Sequence, residues 1–109
     1  MRFPSAVAEL RRPTVATVRR HVPLEYLIHG QWPDGLLGQD APIEALYAQQ
    51  IAVRLRDGLQ GQSISAVCRQ AGVNRSTVQD ILAGRTYGQV ASIARLESVL
   101  RVRLWPELS

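Results

Sequence analysis

The sequence predicts a mostly α-helical domain in which two short helices meet at a sharp turn, preceded by a small N-terminal extension with room for short strands. Three observations carry this. Ile64, Val67, Cys68 and Ala71 recur at i, i+3, i+4 and i+7, the spacing of one buried helical face. Gly72 interrupts that stripe, and a second one begins with Val78, Ile81 and Leu82. Pro4, Pro13, Pro23 and Pro33 fall at near-regular intervals through the first third of the chain, and proline in a helix interior removes a donor and clashes with the preceding turn, so no long helix fits there.

Taken in order, residues 6–12 suit a helical turn or two. Residues 14–20 are β-branched enough for a strand, and residues 24–29 form a largely apolar run with Leu24, Tyr26, Leu27 and Ile28, so a small hairpin fits. Gly35, Gly38, Asp40 and Pro42 mark a loop, with Asp40 expected to cap the helix that Pro42 opens at its first turn. The boundary is drawn there: 1–39 is the extension, 40–109 the helical domain. The extension holds Val15, Val18, Val22, Leu24, Tyr26, Leu27, Ile28, Trp32, Leu36 and Leu37, too much apolar material for a solvated tail. It is expected to fold against the helical domain or against a second copy, as a dimerisation or partner-binding element. Further on, Ser63 and Asn74 are good N-caps, Gly72 supplies the positive φ of a sharp turn, and Val73 seals the corner.

Two capped helices joined in this way form the pattern of a helix-turn-helix, whose second helix enters the DNA major groove. The stretch 63–84 resembles the Cro/lambda-repressor-like (Xre-type) helix-turn-helix DNA-binding family, and the likeness extends to about 43–105. Gly84-Arg85-Thr86-Tyr87-Gly88 looks like the family's loop, and Val90, Ile93, Leu96, Val99 and Leu100 look like its core-closing last helix. Residues 43–56 then correspond to its first helix, with Ile43, Leu46, Tyr47, Ile51 and Leu55 facing inward. Two positions depart from the family: Cys68 stands where Ala is usual, and Arg101 where a helix-ending Gly is common. The resemblance implies a lambda-repressor-like helical bundle that binds double-stranded DNA as a homodimer on a two-fold operator and regulates transcription.

Composition is compatible with that expectation. The 109 residues suffice for one compact domain plus an extension, and the net charge of +4 with a pI near 10.2 suits a polyanionic partner. All thirteen basic residues are Arg. One Cys excludes an intramolecular disulfide framework, and neither a secretory h-region nor a membrane-spanning apolar run is present, so a cytoplasmic protein is expected. His21 and His29 lack the spacing of a zinc site. Gly58 and Gly61 lack the Lys and Ser/Thr of a phosphate loop, and no nucleophile–base grouping stands out, so neither cofactor nor enzymatic activity is expected.

At about 100° per residue, Val78, Ile81 and Leu82 face the core of the second motif helix, while Ser76, Asp80 and Ala83 face away with Gln79 on the flank and Arg75 at the tip. The family resemblance places Arg75, Ser76, Gln79 and Asp80 at or beside base edges. Arg suits guanine, Gln adenine, and Asp the cytosine amino group. Asp80 either accepts from cytosine or is held by Arg75 or another Arg. Ser63, Ser65, Thr77, Arg85, Thr86 and Tyr87 flank this helix as candidates for the phosphate backbone, with Tyr87 equally able to cover an apolar helix end. Arg11, Arg12, Arg19 and Arg20 make two basic pairs, read as either a minor-groove arm or a solvated surface. Trp105 either folds back over Leu55 and Leu59 or forms a dimer contact, and Trp32 is left open. The rival function is an antitoxin or adaptor that binds a partner protein through the extension and autoregulates through the helix-turn-helix.

Overall fold

Helix α1 spans Ile43–Leu59, and the alanines within it decide how the domain packs. In the computed structural model, which describes residues 22–106, its buried face is Ala45, Ala48, Ile51, Ala52, Leu55 and Leu59. Of the residues expected inside, Ile51 and Leu55 are buried and Tyr47 is half-buried, but Ile43 is 62% exposed and Leu46 42%. The inward stripe runs through the small side chains one position away from the large ones, which lets α1 lie close to the elements it crosses. The helix also runs a turn beyond residue 56 and ends at Gln60, which takes a left-handed conformation with φ 36°. Asp40 does not cap it. The N-cap position is Pro42 itself, without a side-chain bond, because the helix begins one residue later than the proline rule placed it.

Helix α2 (Ile64–Ala71) begins as expected: the Ser63 hydroxyl accepts from the Ala66 amide at 3.2 Å. It ends at Gly72, whose φ of 70° is the left-handed conformation a side chain would oppose. Val73 is buried at the corner. Asn74 occupies the N-cap position of α3 (Arg75–Ala83), but its side chain makes no cap bond; its backbone carbonyl takes the Thr77 amide at 3.1 Å.

Helix α4 (Val90–Leu100) lays Ile93 and Leu96 into the core with Val99 and Leu100 packed beside them, whereas Val90, expected inside, is 70% exposed at the helix start. It ends at Arg101, which adopts φ 60° where a glycine would be at ease and donates its amide to the Glu97 carbonyl at 2.8 Å. The Glu97 carboxylate then accepts from the amides of Leu104 (2.7 Å) and Trp105 (3.1 Å) through one oxygen, Oε2. Leu104 is fully buried by this hook, and Trp105 packs against the cluster that contains Leu55 and Leu59, while its carbonyl accepts from Arg54 Nη1 at 2.9 Å. Helices α2 and α4 pack together, α1 packs on α3, and Leu55, Val67, Val78, Ile93, Leu96 and Leu104 share one core. Each such side chain contributes roughly 1.5–3 kcal/mol by leaving water.

The described part of the extension folds onto this bundle. A 3-10 turn at Pro23–Tyr26 leads into β1 (Leu27–His29), which pairs antiparallel with β2 (Leu36–Leu37) through Leu27 with Leu37 and His29 with Leu36, the register slipping between the two pairs. The hairpin was anticipated between residues 14–20, which lie outside the described residues, and 24–29; β1 falls in the second of these, but its observed partner, Leu36–Leu37, lies inside the stretch read as loop. Gln49 of α1 donates its amide hydrogens to the carbonyls of Pro33 (2.9 Å) and Gly35 (2.7 Å), and Arg56 pairs with Asp34 at 2.7 Å. Asp34 and Asp57 raise the pKa of the Arg56 guanidinium through these hydrogen bonds. Residues 6–12 and 14–20, Arg11, Arg12, Arg19, Arg20 and His21 lie outside the described residues. Among those described, no helix is long and apolar enough to cross a membrane.

Candidate nucleic-acid interface

Helix α3 is two-faced. Val78 and Ile81 are buried and Leu82 packs beside them, and these three anchor the helix on the core. At about 100° per residue, Arg75, Gln79, Ala83, Ser76 and Asp80 span an arc of roughly 140° on the other side. Arg75, Ser76 and Gln79 are exposed, and Asp80 is half-exposed. The sequence-predicted base-contacting residues therefore share one outward arc, fixed by the packing of the opposite one.

Asp80 has a partner. Arg85 approaches its Oδ1 with Nε at 3.0 Å and Nη2 at 3.0 Å, and the Arg85 amide donates to the Asp80 backbone carbonyl at 2.9 Å. Of the two roles open for Asp80, being held by an arginine is the one this geometry displays, and Arg85 rather than Arg75 holds it. The pair is half-exposed, so it contributes at most about 1 kcal/mol to stability. Its larger effect is local: it neutralises a carboxylate beside the arc that carries Arg75.

Burial pushes the pKa of the Cys68 thiol up, an effect that the positive charge of Arg75 partly offsets. Ser63 and Ser65 are exposed at the start of α2; the Ser63 hydroxyl, already accepting from Ala66, retains its hydrogen for donation outward. Thr77 is half-buried, and Thr86 accepts the Gly88 amide at 3.0 Å within the loop. Tyr87 is half-buried, and its pKa is raised by burial first, then by Tyr26, Glu44 and Glu25.

A polar cleft of about 350 Å³ adjoins this surface, with Asn74, Thr77, Asp80, Thr86, Gln89 and Ser92 on its walls. Amides, hydroxyls and one carboxylate make it a hydrogen-bonding surface. Among the described residues no group of three or more His, Cys, Asp or Glu is placed to hold a metal ion. Sequence reasoning allowed an arginine partner for Asp80 but did not name Arg85, whose i, i+5 spacing crosses a helix end and follows no helical rule. It also missed Trp32, which lies across Gly84 at the end of α3.

No family model matches the chain, and neither a curated protein nor a solved structure matches it significantly.

Proposed function

We propose that this chain is a sequence-specific DNA-binding protein of the lambda-repressor-like helix-turn-helix type, with α3 as its reader. The observation that carries the reading is the outward arc of Arg75, Ser76, Gln79 and Asp80 on a helix held by Val78 and Ile81, directly after a three-residue turn. Arg75 offers the fork that fits guanine O6 and N7, and Gln79 the amide that fits adenine. Ser63, Ser65, Thr77, Thr86 and Arg85 supply phosphate contacts around it. Because one short helix reads only a few base pairs, the protein acts as a homodimer on an inverted repeat whose half-sites lie about one helical turn apart, and regulates transcription by occupying a promoter.

The test begins with selection of a preferred duplex from a random pool, then binding titrations on selected and scrambled duplexes at two salt concentrations. Arg75→Ala should cost roughly 1–3 kcal/mol on the selected site and much less on the scrambled one. Arg85→Ala should weaken both alike, since it removes a cation and also bares the Asp80 carboxylate towards the phosphates. An unchanged ratio for Arg75→Ala rules out α3 as the reader.

Exposed Ile28 and Leu36 on the hairpin favour a second reading, an antitoxin or adaptor that binds a partner protein through the extension. A folded complex with the product of an adjacent gene, lost in Ile28→Glu, distinguishes it.

A further inference from the structure

We propose that Trp32 is a positioning residue for the reader helix: its ring, pressed on Gly84, fixes the end of α3 and the peptide that carries Arg85. The inference rests on the DNA-binding reading above. Gly84 closes α3 with φ 76°, and a Cβ there would lie 2.7 Å from Trp32 Cδ2, 2.8 Å from Cε2 and 3.0 Å from Cγ, so the indole lies directly on the glycine. From the 3-10 turn that leads into this hairpin, the Leu24 amide donates to the Gly84 carbonyl at 2.9 Å. The extension thus grips one residue of α3's end twice, once by packing and once by a hydrogen bond.

The grip is anchored at its other end. Gln49 binds the carbonyls that flank Trp32 and Asp34 on the loop, at Pro33 and Gly35, and the Gly35 amide closes that loop on Gln31 at 2.7 Å. Rigid contacts therefore run from α1 through the loop and Trp32 to Gly84, and the next residue is Arg85, bonded to Asp80 by both backbone and side chain. A shift of Gly84 moves the Arg85 peptide, the last turn of α3 and the charge balance of the reading arc together. Trp32 does not belong to the central apolar cluster, and its Nε1 is buried without a hydrogen-bond partner among the described residues. A phenyl ring would also cover the glycine, with no stranded N–H.

The experiment compares the intact wild-type chain with Trp32→Ala, Trp32→Leu and Trp32→Phe in two readouts. Amide exchange followed by NMR reports on Gly84 and Arg85 without DNA, and titrations give affinities for the selected and scrambled duplexes. Trp32→Ala should accelerate both amides at least tenfold and lower the selected-to-scrambled affinity ratio about tenfold, within the range for a misplaced bidentate base contact, with scrambled affinity held within about twofold. Trp32→Phe should restore both. Trp32→Leu keeps apolar cover without the flat ring, so it should show the same loss of ratio even if Trp32→Ala does not fold. Equal loss of affinity for both duplexes, in step with the folded fraction, reduces Trp32 to a packing residue and overturns the inference, as does an unchanged ratio in Trp32→Leu. A wild-type chain that selects no sequence overturns the DNA reading and this inference with it; one that selects, with variants that select equally well, overturns this inference alone.

Discussion

Gly72 and Gly84 share nearly the same backbone, φ 70° and 76°, in opposite surroundings, which makes Gly72→Ala and Gly84→Ala a matched pair. A Cβ at Gly72 meets nothing within 4 Å, whereas at Gly84 it meets indole carbons at 2.7 and 2.8 Å. At both positions an L-residue in the left-handed region costs roughly 1–2 kcal/mol, of which about 0.4–1 kcal/mol is returned by the stiffer unfolded chain. Gly72→Ala should therefore destabilise by about 0.5–1 kcal/mol. At Gly84 the ring must also retreat by nearly 1 Å to reach an ordinary carbon contact of about 3.5–4.0 Å, and overpacking of that kind costs typically 1–3 kcal/mol more. Urea unfolding followed by far-ultraviolet circular dichroism measures the gap, with equal slopes required so that midpoints report stability. A Trp32→Ala background should shrink the Gly84 penalty to that of Gly72. If the two alanine substitutions cost the same within about 0.5 kcal/mol in the wild-type background, the Trp32–Gly84 contact does not constrain the fold.

Arg101→Gly should stabilise the domain by about 0.5–1 kcal/mol, because glycine relieves the left-handed strain at φ 60° at the end of α4; the melting temperature should rise by a few degrees at high salt, where loss of a cation near a helix C-terminus is screened, and a fall refutes the strain. Burial, only partly countered by Arg75, holds the Cys68 thiol above its ordinary pKa, so the fold favours the neutral thiol. That contribution is complete below the unfolded thiol value of about 8.5 and is lost as pH rises through the higher folded value. Unfolding free energies measured across the alkaline range should therefore fall less steeply in Cys68→Ala than in wild type, and parallel slopes refute the assignment.

Much that depends on neighbours in sequence was legible, although Asp40 was wrongly expected to cap α1. Ser63 caps α2 because a hydroxyl three residues before a free amide needs nothing distant, and Gly72 turns the chain because φ is local. Val78 and Ile81 follow from helical periodicity. The phase of α1 was harder, since Ile43 and Leu46 outweigh Ala45, Ala48 and Ala52 on any hydropathy reading, and only the closeness of the crossing elements selects the alanines. Asn74 shows a different limit: its cap position was readable, but a side chain suited to capping makes no cap bond there. The outward arc of α3 was readable from the stripe it opposes. Its surroundings were not, because Asp80 is held from beyond the helix end and Gly84 is covered from a loop some fifty residues earlier.

The Glu97 carboxylate has a consequence for how this chain tolerates change. A half-buried glutamate on the last helix looks like a position free to vary, yet one of its oxygens stands in for the backbone carbonyl that the amides of Leu104 and Trp105 lack. Those amides hold the segment that delivers Leu104 to the centre of the core. Position 97 should therefore behave in a mutational scan like an interior site: lysine and alanine would register as losses at a place that surface-charge redesign would otherwise choose first, while glutamine, which keeps one acceptor oxygen, would be tolerated best.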